Sequence, residues 1–105
     1  MCFAAPAAVA GEVETHYAKA GHLVSSNARN HRMNPLVPLV IPEINAGHVA
    51  LIERQRANRG WPGAILANPN CSTAGLVLAL APLHAAFGVE KVFVTTLQAV
   101  SGAGY

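Results

Sequence analysis

GAILANPNCSTAGLVLALAPLHAAF, residues 63–87, carries the fold in miniature. Residues 63–67 are a short apolar run, the mark of a buried strand. Asn68, Pro69 and Asn70 follow as a sharp polar turn. Asn70 is a good helix N-cap, and residues 71–87 are apolar on nearly every side, which predicts a buried helix. Pro82 predicts a kink in it, and Gly88 closes it. A buried strand feeding straight into a helix is a unit of a layered α/β fold.

The flanking sequence repeats the alternation. Residues 1–5 read as a strand, and Pro6 suits a first helical turn. Residues 7–20 read as a helix with Val9, Val13 and Tyr17 (or Ala10) inward, stopped by Gly21. Residues 22–25 read as a second strand, so residues 2–25 form a βαβ unit whose crossover is expected to be right-handed. Residues 27–34 are a polar loop holding Arg29 and Arg32. Residues 37–41 have strand composition, but Pro38 demotes them to an edge or extended segment. Asn45 can cap a helix over residues 46–58, with Val49 and Ile52 inward and Glu53, Arg54 and Arg56 solvated. Gly60 ends it, and Trp61, Pro62 and Gly63 read as a turn with a packed aromatic. Beyond the long helix, residues 91–100 alternate and are rich in Val, Phe and Thr, which predicts another strand. Residues 101–105 are a glycine-rich loop.

Composition bounds the function. Charged residues make up 11% of the 105, against about 25% in ordinary globular domains. So few charges point to an interior slice of a larger protein, or to a chain covered by a partner. A 52% hydrophobic content excludes intrinsic disorder. A net charge of +2 without a clustered basic face argues against a nucleic-acid partner. Two cysteines make no disulfide framework and fit reduced thiols in the cytoplasm. No signal peptide is expected, because no basic segment precedes an apolar core. The longest apolar stretch, residues 74–87, falls short of the ~20 residues of a membrane span, so no membrane association is expected. His16, His22, His31, His48 and His84 show no metal-ligand spacing and read as surface or helix-face residues; no metal is expected. Cys2 reads as a core residue.

The chemistry concentrates around Cys71. With Asn70 as N-cap, its sulfur lies among the unpaired N–H groups and positive dipole end of a helix start. Such surroundings favour a thiolate nucleophile, and the same N–H groups could hold an oxyanion. The competing reading is a buried, inert cysteine. In α/β sheets, ligands sit at the carboxyl ends of the strands, where Cys71 falls. Residues 95–104 bring Gln98 and then glycines that permit close backbone approach to a ligand. Arg29 and Arg32 could each grip a phosphate or carboxylate through a bidentate fork, or simply be solvated loop residues.

Three ordered motifs make the reading more specific. They are NPNCSTAG at residues 68–75, TTLQAVSGAGY at residues 95–105, and SSNARNHRMNPLVPLVIPEIN at residues 25–45. Together they resemble aspartate-semialdehyde dehydrogenase, most closely the branch of archaea, fungi and some bacteria. The resemblance implies the C-terminal part of a Rossmann-type NADP-binding domain over residues 1–68. Residues 69–105 would be the catalytic-cysteine helix and the start of an α+β dimerisation domain. The family's glycine-rich phosphate loop, acid/base histidine and carboxylate-gripping arginine have no counterpart among these residues. Residues 1–6 also depart from the family's usual turn near the nicotinamide.

The implied reaction is the NADPH-dependent reductive dephosphorylation of 4-aspartyl phosphate to L-aspartate 4-semialdehyde, through a thioester on Cys71. It serves lysine, threonine and methionine biosynthesis. Gln98 matches the residue that orients substrate, and Arg32 the one that binds phosphate. Asn70 shares the phosphate or oxyanion site. Ser101, Gly102, Ala103 and Gly104 match the loop beside the nicotinamide of NADP. The expected partners are the small-molecule substrates and a second copy, as a homodimer or homotetramer of the full-length protein. Two rivals stand beside this reading. One is a malonyl- or succinyl-CoA reductase of the same architecture, which would need a coenzyme A channel. The other is an inactive truncated chain that survives as an interaction or non-functional product. An N-acetyl-glutamyl-phosphate reductase fits less well, since its cysteine follows an Asn-Pro-Gly turn.

Overall fold

The computed structural model describes residues 2–3, by their backbone alone, and residues 7–99. The described chain opens on strand β1 (Cys2–Phe3), helix α1 (Ala7–Lys19) and strand β2 (Leu23–Ser26). A 3₁₀ turn at Arg29–His31 follows. Then come α2 (Pro42–Asn45), a 3₁₀ stretch at Ala46–Ala50, and α3 (Leu51–Arg59). Strand β3 (Ala64–Ala67) leads into α4 (Cys71–Phe87). The strands form a parallel sheet in the order β1-β2-β3. The expected strand–helix–strand unit is therefore present, and both strand-to-helix passages leave the same edge of the sheet.

The core is small. Ala18, Val24, Val37, Ile65 and Ala67 cluster with Tyr17, Leu39 and Trp61 packed against them. Trp61 also lies under the Lys19 ammonium and the Arg59 guanidinium. On α1 the inward stripe is Ala10, Glu14 and Ala18, one residue per turn, and Val9 is more than half exposed. Small alanines let the helix lie close on the sheet, whereas a Val9 stripe would hold it off.

Gly63 permits the closest approach. A Cβ there would fall on the carbonyl oxygens of His22 and Ala18. Those carbonyls accept hydrogen bonds from the Ala64 N–H and the Gly63 N–H, each at 3.1 Å. The start of β3 is thus sewn to the end of α1.

The outer edge of β3 is covered by two devices. Val40 N–H donates to the Ala67 carbonyl at 3.1 Å, and Ala67 N–H donates to the Pro38 carbonyl at 2.9 Å. Residues 37–41 are therefore extended, as Pro38 demanded, with one parallel bridge at Leu39. Further back, buried Gln55 of α3 acts as a substitute strand. Its Oε1 accepts from Ile65 N–H at 2.7 Å, and its Nε2 donates to the carbonyls of Ile65 and Leu36 at 3.0 and 2.9 Å.

Besides the inward placing of Val9, four expectations need correction. First, residues 46–58 are not one helix capped by Asn45. Pro42 starts α2 at its preferred first-turn position, and a 3₁₀ stretch separates α2 from α3. Asn45 turns back instead: its Oδ1 accepts from Ile41 N–H and its Nδ2 donates to the Leu39 carbonyl, both at 2.8 Å. Ile52 is buried as expected, but Val49 is exposed. Second, α4 has the expected ends, with Asn70 as N-cap and Gly88 left-handed at φ 68°, but none of its residues is buried. A helix apolar all round needs neighbours on every side, and here it meets chiefly α2. Third, residues 89–99 form no strand, and Phe93 and Leu97 are 95% and 99% exposed. A strand needs a paired neighbour, and the described sheet ends in β3 and its covered edge. Fourth, His31 is not a surface residue but is buried against α1. The expected glycine-rich loop and the core role of Cys2 lie outside the described residues and side chains.

Candidate functional site at the carboxyl edge of the sheet

Parallel strands β2 and β3 end side by side at Ser26 and Ala67. The turn after β3 is tied to β2: Asn68 N–H donates to the Ser26 carbonyl at 2.8 Å, and Ser25 Oγ reaches Asn68 Oδ1 at 3.4 Å. Pro69 and Asn70 then redirect the chain into α4. Asn70 has extended backbone, φ −62° and ψ 143°, and its side chain accepts from Ser72 N–H at 3.0 Å and from the Ser72 hydroxyl. Asn70 also offers its carbonyl to Ala74 N–H at 3.0 Å. Of the helix's first N–H groups, the cap occupies that of Ser72, leaving those of Cys71 and Thr73 at the exposed thiol. The result is an accessible sulfur at the positive end of a helix 17 residues long. In the described chain Cys71 is not buried.

Arg32 joins this turn from the other strand. Its Nε donates to the Asn68 carbonyl and its Nη2 to the Asn27 carbonyl, both at 2.9 Å. The guanidinium therefore straddles the ends of β2 and β3, three residues from Cys71 on one side. Two of its donors are spent on main chain. Among the described residues both N–H groups of Nη1 and the second of Nη2 are left, so the arginine would meet an anion through its Nη1–Nη2 end rather than its Nε side. Arg29 is exposed on the 3₁₀ turn. Gln98 is exposed in the irregular segment after α4, and no regular element carries it to the Cys71 turn. Ser101 to Gly104 lie outside the described residues. No group of three or more His, Cys, Asp and Glu side chains among the described residues could hold a metal ion. No helix among them is long and apolar enough to cross a membrane.

One feature of this edge escaped the sequence reading. Glu14, in the middle of α1, is fully buried, and its Oε2 lies 2.9 Å from Nε2 of His31. The signal was present: an acidic residue midway between Ala10 and Ala18, on the face that meets the sheet.

Comparison with known proteins bears on family and fold. Residues 1–52 match the family model described as semialdehyde dehydrogenase, NAD binding domain. Aspartate-semialdehyde dehydrogenase of Methanothermobacter thermautotrophicus is 53% identical over 102 residues, covering 97% of this chain. By sequence, the chain belongs to the aspartate-semialdehyde dehydrogenase family. It spans only 29% of that dehydrogenase's length. The crystal structure of aspartate semialdehyde dehydrogenase with NADP from Candida albicans superposes with a TM-score of 0.69 at 42% identity, covering 84% of this chain and 26% of its own. A malonyl CoA reductase (NADP) of Metallosphaera sedula is 43% identical over 100 residues, 95% of this chain and 28% of the reductase. The dehydrogenase and the reductase thus share this segment of fold.

Proposed function

We propose that this chain is the catalytic-cysteine segment of an NADP-dependent aspartate-semialdehyde dehydrogenase. The observation that carries the reading is the exposed Cys71 thiol at the capped start of α4, with Arg32 fastened to the same turn. The boundary between its two domains falls at residues 68 and 69, where the strand layer gives way to a helix that makes little contact with it.

The chemistry follows from these groups. The Cys71 thiolate attacks the acyl carbon of 4-aspartyl phosphate, and the N–H groups of Cys71 and Thr73 stabilise the oxyanion. The carbon–oxygen bond to phosphate breaks, leaving a thioester on Cys71 and inorganic phosphate, whose charge Arg32 offsets through Nη1. NADPH, when bound, would supply the hydride that reduces the thioester. The tetrahedral alkoxide then collapses to the semialdehyde, expelling the Cys71 thiolate. Gln98 orients the substrate, Asn70 shares the oxyanion or phosphate site, and Ser101, Gly102, Ala103 and Gly104 border the nicotinamide. The nicotinamide end of a dinucleotide would lie along this edge, where parallel strand ends, the start of α4 and Arg32 converge. The reading brings with it a homodimer or homotetramer, a cytoplasmic setting, and a place in the biosynthesis of lysine, threonine and methionine.

A coenzyme A acceptor is the second reading. It is favoured by the 43% identity of this chain to the malonyl CoA reductase (NADP) of Metallosphaera sedula over 100 residues. Assaying the full-length parent with phosphate against coenzyme A separates the two. The dehydrogenase reading expects turnover of aspartate semialdehyde that requires phosphate and is abolished by Cys71→Ala. It also expects Arg32→Ala to raise the KM for phosphate about tenfold. Turnover that requires coenzyme A instead would overturn it.

A further inference from the structure

The 3₁₀ turn Arg29–His31 is short, and Arg32 is the residue that ends it, with its N–H donating back to the Arg29 carbonyl at 3.3 Å. Something must hold so small a turn if Arg32 is to present Nη1 in one place. Two ties to α1 do so. Asn30 Nδ2 donates to the Ala7 carbonyl at 2.8 Å, an exposed contact. The other tie is Glu14 with His31, both buried, at 2.9 Å. Neither Glu14 oxygen accepts an aligned hydrogen bond from any group, and His31 Nε2 makes none, so the contact is a close approach of the two buried side chains. A buried carboxylate with one partner is a poor source of stability, since desolvation offsets most of the attraction. Such pairs are better explained by what they hold in place.

We propose that the Glu14–His31 pair is a positioning device for Arg32. His31 and Arg32 are consecutive, so the turn acts as a bracket. One arm is pinned to α1 by Glu14, and the other carries the guanidinium to Asn27 and Asn68. The turn before Cys71 has its own ties to β2 through Asn68 and Ser26. The pair therefore acts on Arg32 more than on the thiol. This proposal rests on the reading of Arg32 as the phosphate ligand.

The test is a phosphate titration of the full-length parent. Glu14→Leu/His31→Leu replaces the pair with apolar groups, an exchange that commonly keeps or raises stability. We expect a cooperative fold, a KM for phosphate raised about tenfold, and a kcat at saturating phosphate within about twofold of the parent's. Glu14→Gln keeps the shape and an acceptor for the imidazole, and should restore the phosphate KM to within about twofold. In an Arg32→Ala background the double substitution should raise the KM no further, because two groups acting as one unit are not additive. Should the leucine pair fail to fold, His31→Asn, too short to reach Glu14, reads the same quantity. An unchanged phosphate KM in a folded variant lacking the contact, beside a raised one in Arg32→Ala, overturns this proposal alone. So does a further rise in the Arg32→Ala background. An unchanged phosphate KM in Arg32→Ala overturns both the phosphate reading and this proposal.

Discussion

Cys71 owes its place to its neighbours on either side. Asn70 closes the first turn of α4, and the extended backbone at Asn70 swings the thiol outward. In the full-length parent, iodoacetamide should therefore modify Cys71 ahead of Cys2, as peptide mapping by mass spectrometry will show. Equal rates at the two thiols would count against the nucleophile. Removing the cap with Asn70→Ala should cost about 1 kcal/mol of stability, measured by denaturant titration. Gly63 is the other position where one residue decides the geometry. Its missing Cβ is what lets β3 touch the end of α1, and the atoms in the way are backbone rather than a flexible side chain. Gly63→Ala should destabilise by about 3 kcal/mol, the upper end for overpacking, because main-chain carbonyls cannot step aside.

Elements here are held as much by single side chains as by ladders. Gln55 makes α3 an honorary strand beside β3, serving one N–H and two carbonyls from a buried site. Gln55→Met fills similar volume but orphans those three groups. We expect a loss of about 3 kcal/mol, read as a lower denaturation midpoint with an unchanged slope. Gln55→Glu should be no better, since a carboxylate can accept from Ile65 N–H but has nothing to donate to the two carbonyls. Helix α4 behaves differently. Local signals set both its ends, and nothing local sets its burial. Val77, Leu80, Ala81 and His84 of α4, with Val89 and Val92 beyond it, line an open apolar groove.

At the scale of the whole chain, the sheet and its helices form one body, and α4 with the segment after it presents apolar surface outward. Leu78, Leu83, Phe87, Val92, Phe93 and Leu97 are all exposed. With so few charges to keep copies apart, the 105 residues expressed alone should associate. Sedimentation velocity should show species larger than a monomer, and an NADPH-linked assay on the same sample should show no turnover. A soluble, compact monomer that reduces its substrate would contradict both expectations.

Much of the fold and of the site was legible in the residues themselves, for a physical reason. Helix α4 starts at Cys71 and stops at Gly88 because a side-chain cap and a left-handed glycine act within one turn. The βαβ unit over residues 2–26 follows from apolar runs broken by Gly21, and the demotion of residues 37–41 from the missing N–H of Pro38. The same locality made Asn70 and Cys71 readable as a helix-start site. Long-range pairings were not legible. Nothing near Asn45 says that it will turn back to Leu39 rather than cap forward, and nothing near Gln55 says that β3 will need an edge. Burial is likewise a property of what surrounds an element. An apolar pattern could announce that α4 and residues 91–100 call for cover, but only the assembled chain shows that the sheet does not provide it. The meeting of Glu14 with His31, and of Arg32 with Asn68, joins segments 17 and 36 residues apart. Such contacts exist only after the strands have paired, so tertiary structure alone decided them.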